Sequence, residues 1–282
     1  MYSSTSSAFL TNERLRALAP AIFAESQHAS RSDRYQYIPT TAVLEGMAKE
    51  GFLPVKVSAA NVREADRKSF GKHMIRFRRI DQAPVTVGGI FPEVVMINSH
   101  DGTSSYRLSL GLYRLVCSNG LCVQQGGLED VRVSHMGRNV IDDVIEGSYR
   151  VISDSATAIE TVGQWSQLQL TDGEQTALAI GAHHARFADA DGKIETPITP
   201  AQLLTARRTD DRKSDLWTTF NRVQENAVKG GLHAYTRDAN GRRRRIGTRE
   251  VKGIDGNVGL NRALWAMAEH LAKIKTGAVT LN

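Results

Sequence analysis

The residues best suited to chemistry in this chain are arginines in two short stretches. Between Arg237 and Lys252 stand six arginines (Arg237, Arg242, Arg243, Arg244, Arg245 and Arg249) and one lysine against Asp238 and Glu250, a net of +5. Between Arg63 and Arg79 seven cations face two carboxylates, again +5, so the rest of the chain sits near −4 within a total of +6. A guanidinium is planar, always charged and forked, which suits phosphate oxygens and stacking on bases. Charge concentrated in this way draws a polyanion far better than the same charge scattered.

The elements that must position these groups are strands. His233–Thr236 reads as a strand, Asp238-Ala239-Asn240-Gly241 as a turn, and Arg242–Ile246 as the returning strand. Alternate side chains of a strand point to opposite faces, so four consecutive arginines put guanidinium groups on both. Neither face can then be buried cheaply. The hairpin must project into solvent or lie against an anion, with Tyr235 as an aromatic platform. The plain alternative is a solvated loop whose arginines pair with acidic groups elsewhere. In His73–Arg79, alternation puts Ile75, Phe77 and Arg79 on one face and Arg76 and Arg78 on the other. A basic row on an outer face would track a nucleic-acid backbone, and the alternative is an ordinary solvated strand face. The expected nucleic-acid contacts are therefore Arg76, Arg78, Arg79, Arg237, Arg242, Arg243, Arg244, Arg245 and Arg249, with Tyr235 stacking.

Other constellations are weaker. Cys117 and Cys122 flank Asn119-Gly120; if that pair is a two-residue hairpin turn, the two sulfurs face each other. Zinc would need further ligands, and only His135 is near in sequence. His183-His184 with Asp189 and Asp191 fails the calcium-loop spacing, because Lys193 stands where an oxygen ligand belongs. Glu250-Val251-Lys252 has the Glu-x-Lys spacing of metal-dependent nucleases, which also need an upstream acid such as Asp238. Asp142, Asp143 and Glu146 read as helix-start charges. No phosphate-loop, dinucleotide, nucleophile-elbow or zinc-protease motif is present. No catalytic residue, metal or cofactor is assigned.

The framework reads as α+β. Helices are expected over 11–25 and 40–50, and strands over 52–57, 73–80, 93–98, 106–117, 121–125 and 131–134. A helix from Asn139 presents Ile141, Val144, Ile145, Ile152, Ala156 and Ile159 on one stripe. Helices at 173–187, 201–207, 215–229 (Ser214 as cap) and 259–275 follow. This predicts an antiparallel, sheet-rich part over 1–165 and a helical part over 166–282 carrying the basic hairpin at 232–251, or one continuous domain. Only two cysteines occur, and no apolar run reaches the length that spans a bilayer. The start lacks a basic segment followed by an apolar one, so the expected location is the cytoplasm.

Three segments carry a resemblance: Leu216-Trp217-Thr218-Thr219-Phe220-Asn221-Arg222-Val223-Gln224-Glu225-Asn226-Ala227-Val228-Lys229-Gly230-Gly231, Leu260-Asn261-Arg262-Ala263-Leu264-Trp265, and Arg114-Leu115-Val116-Cys117-Ser118-Asn119-Gly120-Leu121. They resemble the phage- and plasmid-borne family called domain of unknown function 932, over roughly residues 30–275. The resemblance implies a bacterial mobile-element origin and carries no catalytic residues. Asn221, Gln224, Glu225 and Asn226 lie off the apolar stripe of their helix and are expected as structural supports, Glu225 pairing an arginine of the hairpin. The expected function is nucleic-acid binding, with single-stranded DNA favoured, in recombination or replication, and with homo-oligomers if strands are annealed. The competing expectations are a nuclease using Glu250 and Lys252, and an interaction module for an acidic host factor.

Overall fold

Pro20 ends the first helix early. A proline has no N–H to donate and clashes with the preceding turn, so α1 (Asn12–Leu18) gives way to a 3-10 turn at Pro20–Phe23 where one longer helix is expected. The computed structural model describes residues 9–31, 37–82, 89–114, 119–122 (backbone), 130–133 and 139–278. Cys117, His135 and Tyr35 lie outside them. The fold is α+β, and the chain divides into two compact units, Met1–Ala158 and Ile159–Asn282.

In the first unit, α2 (Thr40–Lys49) ends at Gly51, whose φ of 79° suits the residue that closes a helix. A fully antiparallel sheet follows, formed by β1 (Phe52–Ala59), β2 (His73–Arg79), β3 (Ile90–Asn98), β4 (Tyr106–Arg114), β5 (Asn119–Cys122) and β6 (Val131–Val133). The strands run in chain order from β1 to β5, and β6 joins β5 along the outer edge of β4. The register pairs Arg114 with Asn119 and Gly111 with Cys122. Asn119-Gly120 therefore lies within a strand, which corrects the expected two-residue turn, while Cys117 of the expected Cys117–Cys122 pairing lies outside the described residues. The physical reason is tertiary: pairing along β4 draws Asn119 and Gly120 into the ladder, against the local turn preference of the dipeptide.

One sheet face carries Ile75, Phe77, Val94, Met96, Leu108 and Leu110, all buried. Across it lies α3 (Val140–Ser153). Its buried stripe is Val140, Val144, Gly147, Ser148 and Val151, displaced from the expected isoleucine stripe because α3 approaches through its small residues. A Cβ at Gly147 would meet Leu108 Cδ1 at 2.7 Å and Val131 Cγ1 at 2.8 Å.

The same unit buries a polar hub around one hydroxyl. Thr40 Oγ1 lies 3.2 Å from His73 Nε2, 3.0 Å from His100 Nε2 and 3.2 Å from Asn98 Nδ2. His73 Nδ1 sits 3.2 Å from the Gly71 carbonyl, which only accepts, so that nitrogen carries the proton. The Thr40 hydroxyl then donates to His73 Nε2 and accepts from Asn98 and His100, which fills its one donor and two acceptor sites. Burial lowers the His73 pKa to about 4.

The second unit is helical: the end of α4 (Ser155–Gln167), α5 (Asp172–Phe187), the short α6 (Pro200–Leu203), α7 (Leu216–Lys229) and α8 (Ile254–Lys275). Between α7 and α8 stands a two-stranded hairpin of β7 (His233–Arg237) and β8 (Arg243–Gly247). Helix α8 starts five residues before the expected position. The cap of α7 is Asp215, whose Oδ1 accepts from Thr218 N at 2.8 Å, while Ser214 bonds Gln169 instead. Trp165, Phe220 and Trp265 pack with ring centroids 4.5 to 5.8 Å apart. Among the described residues, no helix is long and apolar enough to cross a membrane.

Because His73 is held neutral when folded, the unfolded chain takes up a proton first as pH falls below 6.5. Stability is therefore full above pH 6.5 and declines toward pH 4, by about 3 kcal/mol for a shift of this size. Urea midpoints measured across that window should fall more steeply for the wild type than for His73→Gln.

Candidate nucleic-acid interface

Arginine chemistry differs sharply between the two basic stretches. Arg76 and Arg78 are only 3% and 8% exposed. Arg76 Nε donates to Glu93 Oε2 and Arg78 Nη2 to Glu93 Oε1, both at 2.6 Å. The Arg78 guanidinium also lies over Phe91 and Tyr113, at 4.0 and 5.0 Å from the ring centroids. Arg76 fits because residue 111 is glycine: a Cβ there would meet its Nη2 at 2.5 Å. The expected basic row on an outer face is thus corrected. The alternation holds, but pairing of β2 with β3 sets Glu93 beside both arginines and the face is interior. Arg79 is half-buried and forks onto Asp81 at 3.0 and 2.7 Å.

The hairpin of the second unit is built from its root upward. Helix α7 stops at Gly230 and Gly231, with φ of 66° and 80°. Val251 N donates to Val228 O, and Gly231 N to Thr248 O, joining both hairpin legs to the helix end. Arg186 donates to the carbonyls of Ala227 and Arg249, each at 3.0 Å. Arg207 donates to Gly230 O, and Gln202 to His233 O at 2.8 Å. Helix-end carbonyls lack intrahelical partners; Arg186 supplies one for Ala227 and Arg207 one for Gly230, while the bonds to Arg249 and His233 brace the hairpin legs.

At the tip, Asp238 Oδ1 accepts from the backbone N–H of Asn240 and Arg242, both at 2.9 Å. Gly241, with φ of 75°, takes the left-handed position of the turn. The register pairs Tyr235 with Arg245, Arg237 with Arg243, Thr236 with Arg244, and His233 with Gly247. One face thus carries His233, Tyr235, Arg237, Arg243 and Arg245, and the other carries Arg244. Arg242 stands in the turn, and Arg249 lies below the strands. The Arg243 guanidinium stacks 3.7 Å from the Tyr235 ring centroid. All six arginines are exposed, and among the described residues none of their guanidinium groups forms an ion pair with a carboxylate.

The four supports expected on α7, Asn221, Gln224, Glu225 and Asn226, are all buried. Glu225 takes a two-pronged contact from Arg208 at 2.7 Å on each oxygen, and Lys229 adds a third at 3.2 Å. Burial works to raise its pKa, but the Arg208 bonds and the Lys229 charge outweigh that and hold it low. Its partner is therefore Arg208, not a hairpin arginine: Arg208 occupies both carboxylate oxygens, and the hairpin arginines are exposed. Asn226 Nδ2 donates to the carbonyls of Leu203 and Thr205, at 2.9 and 2.8 Å, and Oδ1 accepts from Arg207. Gln224 bonds Asn261 of α8 at 2.6 Å, and Asn221 bonds Trp217 O at 2.7 Å.

The remaining sequence candidates are dispersed. His183 is buried and donates to Ile198 O at 2.7 Å, while His184 is exposed. Asp189 Oδ1 is occupied by the backbone N–H of Asp191 and Lys193. Asp238 belongs to the hairpin tip and Glu250 follows its root, with a five-residue strand, about 17 Å, between them. Among the described residues no three His, Cys, Asp or Glu side chains are placed to hold a metal ion. The Thr40 hub and the arginines 186, 207 and 208 escape a reading of the sequence. Their only local signals are the dense polar run Asn98-Ser99-His100-Asp101 after an apolar strand, and the adjacent pair Arg207-Arg208.

The family model "Domain of unknown function (DUF932)" matches residues 27–265, which includes the α7 network, the hairpin and the polar hub. The chain belongs to this family. It is 45% identical over 263 residues to each of two Escherichia coli (strain K12) proteins, "UPF0380 protein YafZ" and "UPF0380 protein YfjQ". Each match covers 93% of this chain and 91% of the relative. No solved structure matches it.

Gly230 couples α7 to the hairpin root most tightly, since a Cβ there would meet the Arg249 carbonyl carbon at 2.7 Å. Gly230→Ala should cost about 2 kcal/mol or more, from the positive φ and the clash together. Amide exchange should show the hairpin protected less in this variant than in the wild type. Glu93→Gln should cost about 3–5 kcal/mol in urea unfolding, because it leaves two buried guanidinium groups facing a neutral amide.

Proposed function

We propose that the chain binds nucleic acid through the β7–β8 hairpin, with single-stranded DNA as the preferred polymer. The observation that carries this reading is the state of the six hairpin arginines, which project without ion pairs while Arg243 already stacks on Tyr235. An interior or paired arginine has its hydrogen-bonding capacity engaged, as Arg76, Arg78 and Arg208 do. Among the described residues, Arg237 spends one N–H on the Gly241 carbonyl at 2.8 Å, the other five hold no carboxylate, and forked guanidinium groups suit phosphate oxygens. Tyr235, 55% exposed, adds a stacking surface that every unpaired base can use.

In this reading the protein acts in the cytoplasm of a bacterial host, on strands exposed during recombination or replication of a mobile element. Strand annealing would engage several copies of the chain along one strand, so homo-oligomers belong to the proposal. The phosphate contacts are Arg237, Arg242, Arg243, Arg244, Arg245 and Arg249; Arg76 and Arg78 act as interior supports.

Binding of a labelled single strand measured against salt tests this. Six phosphate contacts on a single strand should give a log–log slope of about −4, and replacing Arg242–Arg245 by alanine, which leaves two, should bring it to about −1.4. A wild-type chain that binds neither single strand nor duplex at low salt defeats the reading.

A further inference from the structure

The Tyr235 side of the hairpin has an uneven surface. Tyr235 leans diagonally across the ladder toward the tip, where Arg243 covers one face of its ring at 3.7 Å. Among the described residues no other ring or guanidinium stacks on Tyr235. The next residue on that side is His233, paired with Gly247. A Cβ at Gly247 would lie 2.8 Å from His233 Nδ1 and 3.0 Å from its Cε1, so the imidazole occupies the space that a side chain at 247 would fill. Glycine lets His233 lie over the partner strand.

Same-side residues two apart on a strand are separated by about 6.7 Å. That is twice the roughly 3.4 Å spacing of stacked bases, so a ring held between two such residues can contact both. We propose that Tyr235 and His233 form the two walls of a slot for one unpaired nucleobase, with Arg245 beside it to hold the adjoining phosphate. This rests on the nucleic-acid reading above and explains its preference for single strands, because a paired base cannot leave its stack without cost. Arg243 serves as the outer support of Tyr235: its guanidinium holds the ring from the tip side and leaves the root side to the base. Glycine at 247 is then part of the site, since any side chain there pushes His233 out of the slot wall.

The test is fluorescence anisotropy with three probes: a short single strand, the same strand built of abasic sugars, and its duplex. Tyr235→Ala and His233→Ala should each weaken single-strand binding about fivefold or more. The loss should fall at least fivefold more lightly on the abasic strand and the duplex, and the salt slope should stay within error. His233→Phe should recover most of what His233→Ala loses, and Gly247→Ala should reproduce part of that loss. If both alanine variants bind the single strand as the wild type does, while Arg243→Ala with Arg245→Ala binds weakly, the slot is wrong and the backbone reading stands. If the wild type binds none of the three probes at low salt, the reading and the slot both fall.

Discussion

Helix α7 is buried on all sides, and that constraint organises the second unit. Twelve of its fourteen residues are buried, several of them polar. A polar group removed from water must find a partner inside, or it costs on the order of 1–3 kcal/mol. Each of the four family-motif residues meets this demand with a different neighbour. Glu225 holds Arg208, Asn226 holds the 203–207 segment, Gln224 reaches Asn261 of α8, and Asn221 bonds its own helix. The loop before α7, the helix after the hairpin and the hairpin root are therefore set by one element.

The same physics gives the first unit its polar interior. Two guanidinium groups on Glu93 lie within the sheet, and three polar side chains converge on the Thr40 hydroxyl. Such networks contribute less to net stability than to uniqueness, since a shifted register would strand a charge or a donor without its partner. Arginine thus plays two roles in one chain. Where a carboxylate arrives from another strand or loop it is a structural tie, and where none arrives it remains free to meet an anion.

Several features were legible from local patterns because their causes are local. Gly51 after α2, the Gly230-Gly231 stop, the Asp238–Gly241 turn and the exposed arginine run all follow from backbone preference or from alternation within one strand. The Asn119-Gly120 turn was misread for the complementary reason. Its dipeptide favours a hairpin turn, but pairing with β4 sets both residues within a strand.

What the sequence by itself determined is the α+β order of elements, the concentration of charge, and the impossibility of burying four adjacent arginines on a two-sided strand. Only the tertiary structure decided which arginines are available. Arg76 and Arg242 are chemically identical, and no local pattern separates them. The difference lies in Glu93, seventeen residues from Arg76 in sequence and 2.6 Å away in space, whereas among the described residues no carboxylate pairs with the guanidinium of Arg242.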